Sequence, residues 1–376
     1  MAAATAADAE NLTDPLLRGA ARLRSAPPLE KASALAIGPE DVAAAAERVA
    51  KLTNRTPVLT CRTIDSQVFG DDDGRILFKC ENFQRVGAFK FRGACNAVAA
   101  VLERKREEAG TAELAPVRFV TESSGNHGQG LALAAKLQGH PAVVVVPNDA
   151  PKVKVEAMEG YGAEVVQVPP EERKSECQRV VAETNGTLIH PSNEPLVMAG
   201  QGTAFLELWE QAVDLGVEKL DVIVMPVGGG GLLSGVAVAA KAINPDILVI
   251  AGEPLQANDA YNSLKGGEHV GHADGAAVAK SIAGGLLTIL GSNTWPVVRD
   301  LVDDIICVTE EEIASAMKLV MERMKIVIEP SSAVAVAALM RPEFQALRQE
   351  RGLKNVGVVL TGGNVDLTTP LPFLQS

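Results

Sequence analysis

The stretch ENFQRVGAFKFRGACNAV, Glu81 to Val98, holds a lysine between two phenylalanines, Phe89-Lys90-Phe91, with Arg92 next. Two chemistries fit those residue types. Alternating apolar and cationic residues is the pattern of a half-buried strand whose cations face water. A lysine held in an apolar slot behaves differently: desolvation lowers its pKa and frees the amine to form a Schiff base with a carbonyl. Lys90 alone supports both readings.

Four loops carry the other reactive groups. In DVIVMPVGGGGLLSGVAVAAKAI an apolar run enters Gly228, Gly229, Gly230 and Gly231 and leaves as a small-residue helix. Consecutive glycines let backbone N–H groups converge on a phosphate at a helix start. No Gly-Lys-Ser/Thr follows, and Leu233 or Ser234 fills the last position of every G-x-G-x-x-G register, so neither nucleotide fingerprint is met. The alternative is a glycine-rich tight turn. In VTESSGNHGQG, Ser123, Ser124, Asn126 and His127 offer hydroxyls, an amide and N–H groups at a second helix start, which suits a carboxylate. The same loop also reads as an N-capping serine cluster. A Ser124–His127 nucleophile pair lacks both G-x-S-x-G and a third partner. Glu253 follows ILVIAGEP, where a dinucleotide fold would set it on a ribose. Glu253, the Ala257 carbonyl and Asp259 also make a set of hard oxygen ligands for Mg²⁺ or Ca²⁺, or simply solvated acids. Thr361, in VGVVLTGGNVDL, sits at a strand end where its hydroxyl can face a ligand, though alone it reads equally as a plain strand-loop threonine.

These loops need strands that deliver them and helices that receive them. RILFKCENF, VRFVTESSG, PAVVVVPNDA, AEVVQVP, TLIHP, DVIVMPVGGGG, ILVIAGEP and NVGVVLTGGN read as short strands. GPEDVAAAAERVAKL, GACNAVAAVLERKREEAG, NHGQGLALAAKLQG, PKVKVEAMEGYG and SECQRVVAETNG read as helices. Continuous apolar strands alternating with helices predict α/β domains with parallel sheets covered on both faces. In that class ligands bind beyond the carboxyl ends of the strands. Each loop named above follows a strand.

Composition bounds the rest. A chain of 376 residues, 47% of them hydrophobic, can bury a large core, and its length favours two domains or one large one. A net charge of −12 argues against nucleic acid and against an anionic membrane surface. The five cysteines (Cys61, Cys80, Cys95, Cys177, Cys307) form no CxxC pair, which points to reduced thiols and a cytoplasmic protein. No apolar run is long enough to span a membrane. Residues 1–38, rich in alanine and mixed in charge, read as a loosely ordered tail without the features of a signal or transit peptide.

Together these blocks resemble the fold-type II enzymes that use pyridoxal 5′-phosphate, and within them the branch of eukaryotic serine racemases and serine/threonine dehydratases. The resemblance runs from about Asn54 to Leu367. It rests on GAFKFRGACNAV, SSGNHGQG, HPSNEPLVMAGQGT, PVGGGGLLSG, EPLQANDAYNS, GSNTWPVVRDLVDD, ERMKIVIEPSSAVAVAAL and LTGGNVDL. It implies two open-twisted parallel-sheet domains of the tryptophan synthase β type with the cofactor in the cleft between them. The implied division is a large domain from residues 39–111 and 194–376 and a small one from 112–193. By the same resemblance Lys90 carries the cofactor as a Schiff base, Phe89 packs beside it and Asn126 lies near its ring hydroxyl. Gly228 to Gly231 hold the phosphate, Glu329 lines the cofactor site, and Thr361 meets the pyridine nitrogen. Ser123, Ser124, Asn126, His127, Arg173 and Gly285 are the implied substrate contacts. Glu253, Ala257 and Asp259 match a divalent-metal site for Mg²⁺, Ca²⁺ or Mn²⁺. A homodimer acting on a small amino acid is implied as well.

The implied chemistry turns on two groups. Lys90 takes the α-proton on one face, and Ser124 returns one on the other, which inverts the centre. Departure of a β-hydroxyl instead leads to pyruvate and ammonia. Two acid–base groups on opposite faces are needed for the first outcome only. Related dehydratases often carry a small residue such as alanine at the position of Ser124. Threonine dehydratase, 3-hydroxyaspartate dehydratase and aspartate racemase are the alternatives within the family. This chain also departs from the animal racemases. Arg85, Val86 and Ala88 stand where they have Lys, Thr and Ser, in a region that binds nucleotide there, which argues against ATP activation although Gln129 and Asn364 are retained. Gly284 replaces an Asp, leaving substrate preference open, and Ser192 replaces an Asn.

Overall fold

The computed structural model describes residues 13–29, 35–271 and 280–374. Its strands form two sheets. The larger has the order β1-β2-β10-β7-β8-β9, from Val58–Leu59 (β1), Arg75–Cys80 (β2), Val222–Pro226 (β7), Leu248–Pro254 (β8), Asp304–Val308 (β9) and Asn355–Leu360 (β10). All its pairings are parallel except β1 with β2, which run antiparallel at one edge. The smaller sheet is wholly parallel, ordered β5-β4-β3-β6, from Phe119–Glu122 (β3), Ala142–Pro147 (β4), Glu164–Val168 (β5) and Thr187–Leu188 (β6).

The period-2 geometry of a strand divides the larger sheet between two cores. Ile223 and Met225 of β7, and Val249 and Ala251 of β8, enter one core. Val222 and Val224, with Ile250, enter the other, where they meet the alanine-rich helix Pro330–Met340. Helices therefore cover both faces, which is why these strands are apolar throughout. β4, AVVVVP, is buried at every position for the same reason.

Two expectations need correcting. Phe89 to Arg92 is not a strand: Lys90 opens helix α3 (Lys90–Ala109), which follows α1 (Pro15–Ser25) and α2 (Pro39–Val49). The small residues after Gly93 propagate the helix back to Lys90, and Arg92, assigned to water by the alternation, is fully buried. The helix ends at Gly110, whose φ of 61° is the left-handed cap geometry that glycine adopts freely. The N-terminal segment differs from its sequence reading too. Within what reads as a loose tail, α1 is a capped helix: Asp14 accepts from Leu16 N at 2.9 Å, and Leu16, Ala20 and Leu23 are buried. Arg18 and Arg22 bind Glu210 of helix α5 (Pro195–Asp214), the longer-range packing that the local sequence does not display. Helix α4 (Asn126–Leu137) precedes α5, and helix α6 (Gly231–Ile243) follows it.

Candidate active site

The loops after β3, β7 and β10 meet the start of α3 around one cleft of about 240 Å³. Phe89, Lys90, Ser123, Ser124, Asn126, His127, Arg173, Gly228, Gly229, Gly230, Gly231, Gly285, Glu329 and Thr361 all line it. Residues read from the sequence as separate clues thus share one site, apart from Glu253, Ala257 and Asp259.

Lys90 sits with Nζ 5.2 Å from the centre of the Phe89 ring and donates to the Pro191 carbonyl at 2.9 Å. Burial lowers its pKa to about 8, only partly opposed by the Glu329 carboxylate. A substantial share of the amine is therefore neutral near physiological pH, as a Schiff-base lysine requires. The backbone just ahead is held tightly. Val86 has φ 55°, a strained value for a β-branched residue. Its carbonyl accepts from Asn364 Nδ2 at 2.7 Å.

The same Asn364 amide donates to Asn126 Oδ1 at 2.9 Å, and Asn126 Nδ2 donates to Glu329 Oε1 at 2.8 Å. Asn126 is thus gripped from both sides. Burial pushes the Glu329 carboxyl up, against the pull of Asn126, Lys154 and Lys90. Thr361, at the end of β10, is buried, and its carbonyl accepts from Phe89 N at 3.0 Å.

Between β7 and α6 the glycine loop passes too close to its neighbours for any side chain. A Cβ on Gly229 would fall 2.3 Å from Ser192 Oγ, and Gly230 has φ 80°. Side-chain capping of α6 is absent, so its first N–H groups are open to an anion. α4 likewise starts without a side-chain cap. The His127 ring is neutral, its pKa pushed down to about 3 by burial and then by Lys90. Its Nε2 lies 3.3 Å from the Ile189 carbonyl, and Nδ1 has no protein partner among the described residues. His127 consequently brings N–H groups of a helix start to the cleft, and no cationic ring.

Arg173 is at the start of helix Arg173–Thr184 and pairs with Glu122, the last residue of β3, at 3.1 Å. Lys154 and His190 also line the cleft. Glu122, Lys154, His190 and Ser331 were not picked out from the sequence. Ser331, whose hydroxyl accepts from Gly285 N at 3.0 Å, had a usable signal: EPSS is another hydroxyl-bearing helix start. Lys154 had none, since it reads as one more solvated helix lysine.

Glu253, Ala257 and Asp259 are buried together at the end of β8 and the turn after it. Glu253 accepts from Ala260 N and Tyr261 N, and Asp259 accepts from Leu290 N. Burial, with Asp259 adding to it, pushes the Glu253 carboxyl up to about 8. Two buried carboxylates that repel each other suit a hard cation. Among the described residues no cluster of three or more His, Cys, Asp or Glu accompanies them. All five cysteines are free thiols, and among the described residues no helix is long and apolar enough to cross a membrane.

The family model described as pyridoxal-phosphate dependent enzyme matches residues 49–362. A serine racemase of Dictyostelium discoideum is 46% identical over 332 residues, covering 88% of this chain and 95% of that protein. One of Homo sapiens is 46% identical over 327 residues, covering 85% and 89%. A crystal structure of a pyridoxal 5′-phosphate-dependent aspartate racemase superposes with a TM-score of 0.82 at 37% identity, covering 90% of this chain and 99% of that one.

Proposed function

The chain belongs to the pyridoxal-phosphate dependent enzymes, and on that premise we propose that it interconverts L- and D-serine and also eliminates serine to pyruvate and ammonia. The observation that carries this reading is the meeting, in one cleft, of the Lys90 amine and the Ser124 hydroxyl. They come from different elements: Lys90 from the start of α3, Ser124 from the loop after β3. Racemisation needs two proton-handling groups at one carbon, and this cleft supplies them.

The residues present fit the cofactor. Lys90 would hold it covalently, the N–H groups of Gly228 to Gly231 would bind its phosphate, and Thr361 would face the pyridine nitrogen. When bound, pyridoxal 5′-phosphate supplies the electron sink that acidifies the substrate Cα–H. Everything else falls to the protein. The N–H groups and hydroxyls of Ser123 to His127 orient the substrate carboxylate. Lys90 Nζ takes the proton from Cα on one side, and Ser124 Oγ returns one from the other. Thr361 is a neutral hydroxyl where a carboxylate would strengthen the sink, so proton return or loss of the β-hydroxyl competes well with longer-lived chemistry. Phe89 walls the amine from water. A divalent cation, Mg²⁺, Ca²⁺ or Mn²⁺, would occupy Glu253, Asp259 and the Ala257 carbonyl, relieving the repulsion between the two carboxylates.

One observation favours a second substrate class. Lys154 makes no ion pair among the described residues and lines the same cleft as Arg173 and His190. An unpaired lysine there suits a side-chain carboxylate, as in aspartate or 3-hydroxyaspartate, although Arg173 is already met by Glu122. Incubation of the holoenzyme with L-serine, followed by chiral chromatography and a keto-acid assay, is expected to give both D-serine and pyruvate. A chelator should lower both. Pyruvate without D-serine would leave a dehydratase, and turnover of L-aspartate in preference to L-serine would move the assignment to the second class.

A further inference from the structure

We infer that a buried cluster of four charges, Lys79, Glu81, Arg92 and Glu207, sets the position of Lys90 in the cleft, with Arg92 as a positioning residue for the reaction proposed above. The inference rests on that reading for its catalytic consequence, though not for its geometry. Arg92 lies two residues beyond Lys90, in the first turn of α3. That turn has neither a side-chain cap nor an acidic residue, the two usual devices that fix a helix start.

Arg92 supplies what they do not. Its side chain is fully buried. Nε donates to Glu81 Oε2 at 2.8 Å, and Nη2 donates to Glu81 Oε1 at 2.8 Å and to Glu207 Oε2 at 2.6 Å. A two-pronged contact of this kind admits one orientation of the guanidinium. Its anchors come from elsewhere in the chain: Glu81 follows β2, and Glu207 is on α5. Glu207 is held in turn by Lys79 Nζ at 2.6 Å. Lys79 donates also to the Thr56 carbonyl at 2.8 Å and to Gln211 Oε1 at 2.6 Å, so its three ammonium hydrogens meet three acceptors. Two cations and two carboxylates balance.

Stability does not explain four charges here. A buried ion-pair cluster is commonly matched or bettered by hydrophobic residues of the same volume. What such a cluster supplies is a unique arrangement. The neighbouring contact has the same character: Gly93 N donates to Gln201 Oε1 at 3.1 Å, and a Cβ on Gly200 would fall 2.6 Å from Gly93 Cα. α3 and α5 thus meet backbone to backbone immediately after Lys90. A slip of either helix would carry the amine away from Pro191 and the cleft.

The test uses a charge-balanced pair, Arg92→Met/Glu81→Gln, which removes the fork and leaves Lys79 with Glu207. In the full chain before cofactor is added, amide hydrogen exchange across residues 89–95 is expected to quicken about tenfold or more, with other helices unchanged. In the holoenzyme kcat should fall about 100-fold while KM stays within about threefold, since a displacement near 1 Å costs that much. The cofactor's visible absorption band should shift with it. Exchange and kcat at wild-type levels, with only the melting temperature lowered, would make the cluster a plain structural element and overturn the inference. Should the pair not fold, Arg92→Lys keeps the charge and loses the fork: reduced kcat at constant KM supports the inference, and wild-type kcat ends it. Wild-type protein that makes no D-serine would fell the racemase reading alone, because the exchange result stands without it.

Discussion

In the proposed reaction Ser124 and Lys90 carry separable duties, and single substitutions can part them. On that proposal, replacing Ser124 with alanine removes the hydroxyl that would return a proton to Cα but leaves Lys90 to take one. Ser124→Ala is therefore expected to keep pyruvate formation from L-serine within about an order of magnitude while D-serine falls by about 100-fold or more. Equal losses of both products would take Ser124 out of the proton path. Lys90 makes a prediction about pH. Its pKa is lowered to about 8, chiefly by burial, and the neutral amine is the nucleophile. The rate at which cofactor attaches to the cofactor-free protein should thus rise with pH and level off above about 8. An ordinary lysine would keep gaining to about 10.4. Stopped-flow absorbance distinguishes the two, and a rate still climbing at pH 9.5 would contradict the desolvated slot.

Elements were legible wherever a short apolar run ended in glycine or a hydroxyl, because strand, loop and helix start are then decided by local chemistry. β3 with Ser123 to His127 and β7 with Gly228 to Gly231 were read this way and fall in the same cleft. Two kinds of feature resisted. The alternation at Phe89 to Arg92 mimicked a strand because Arg92 finds its partners, Glu81 and Glu207, through tertiary contact with the turn after β2 and with α5. α1 was hidden for the same reason, since its Arg18 and Arg22 meet Glu210 across nearly two hundred positions. Packing of α1 on α5 is testable at Gly19, where a Cβ would lie 2.7 Å from Leu206 Cβ. Gly19→Leu should overpack that contact and destabilise the protein by about 1–3 kcal/mol. Urea unfolding measures it, and an unchanged midpoint would mean that α1 contributes nothing to the fold's stability.

At the scale of the whole molecule the cleft gathers loops from both sheets. Lys90, Gly228 to Gly231 and Thr361 belong with the larger sheet, Ser123 to His127 with the smaller. Folding built each sheet from local βα units, and one hydrophobic core runs from Phe119, Val144 and Val146 of the smaller sheet to Ile223 and Met225 of the larger, so a shared core carries the loops of the cleft. Ser192, beside Gly229, and Pro191, which holds the Lys90 amine, are protein links across it. A ligand that touches both sides should therefore act on the whole chain. Pyridoxal 5′-phosphate at about 100 times its dissociation constant adds about 2.7 kcal/mol to the folded state, which a melting curve resolves as a rise of some degrees. Hydrogen exchange then tells where the gain lies. Protection is expected at the glycine loop after β7 and also at residues 123–127 after β3, whereas inorganic phosphate alone should protect only the former. Cofactor-dependent protection confined to one sheet's loops would mean that the ligand does not span the cleft, and the two proton-handling groups would no longer share one substrate carbon.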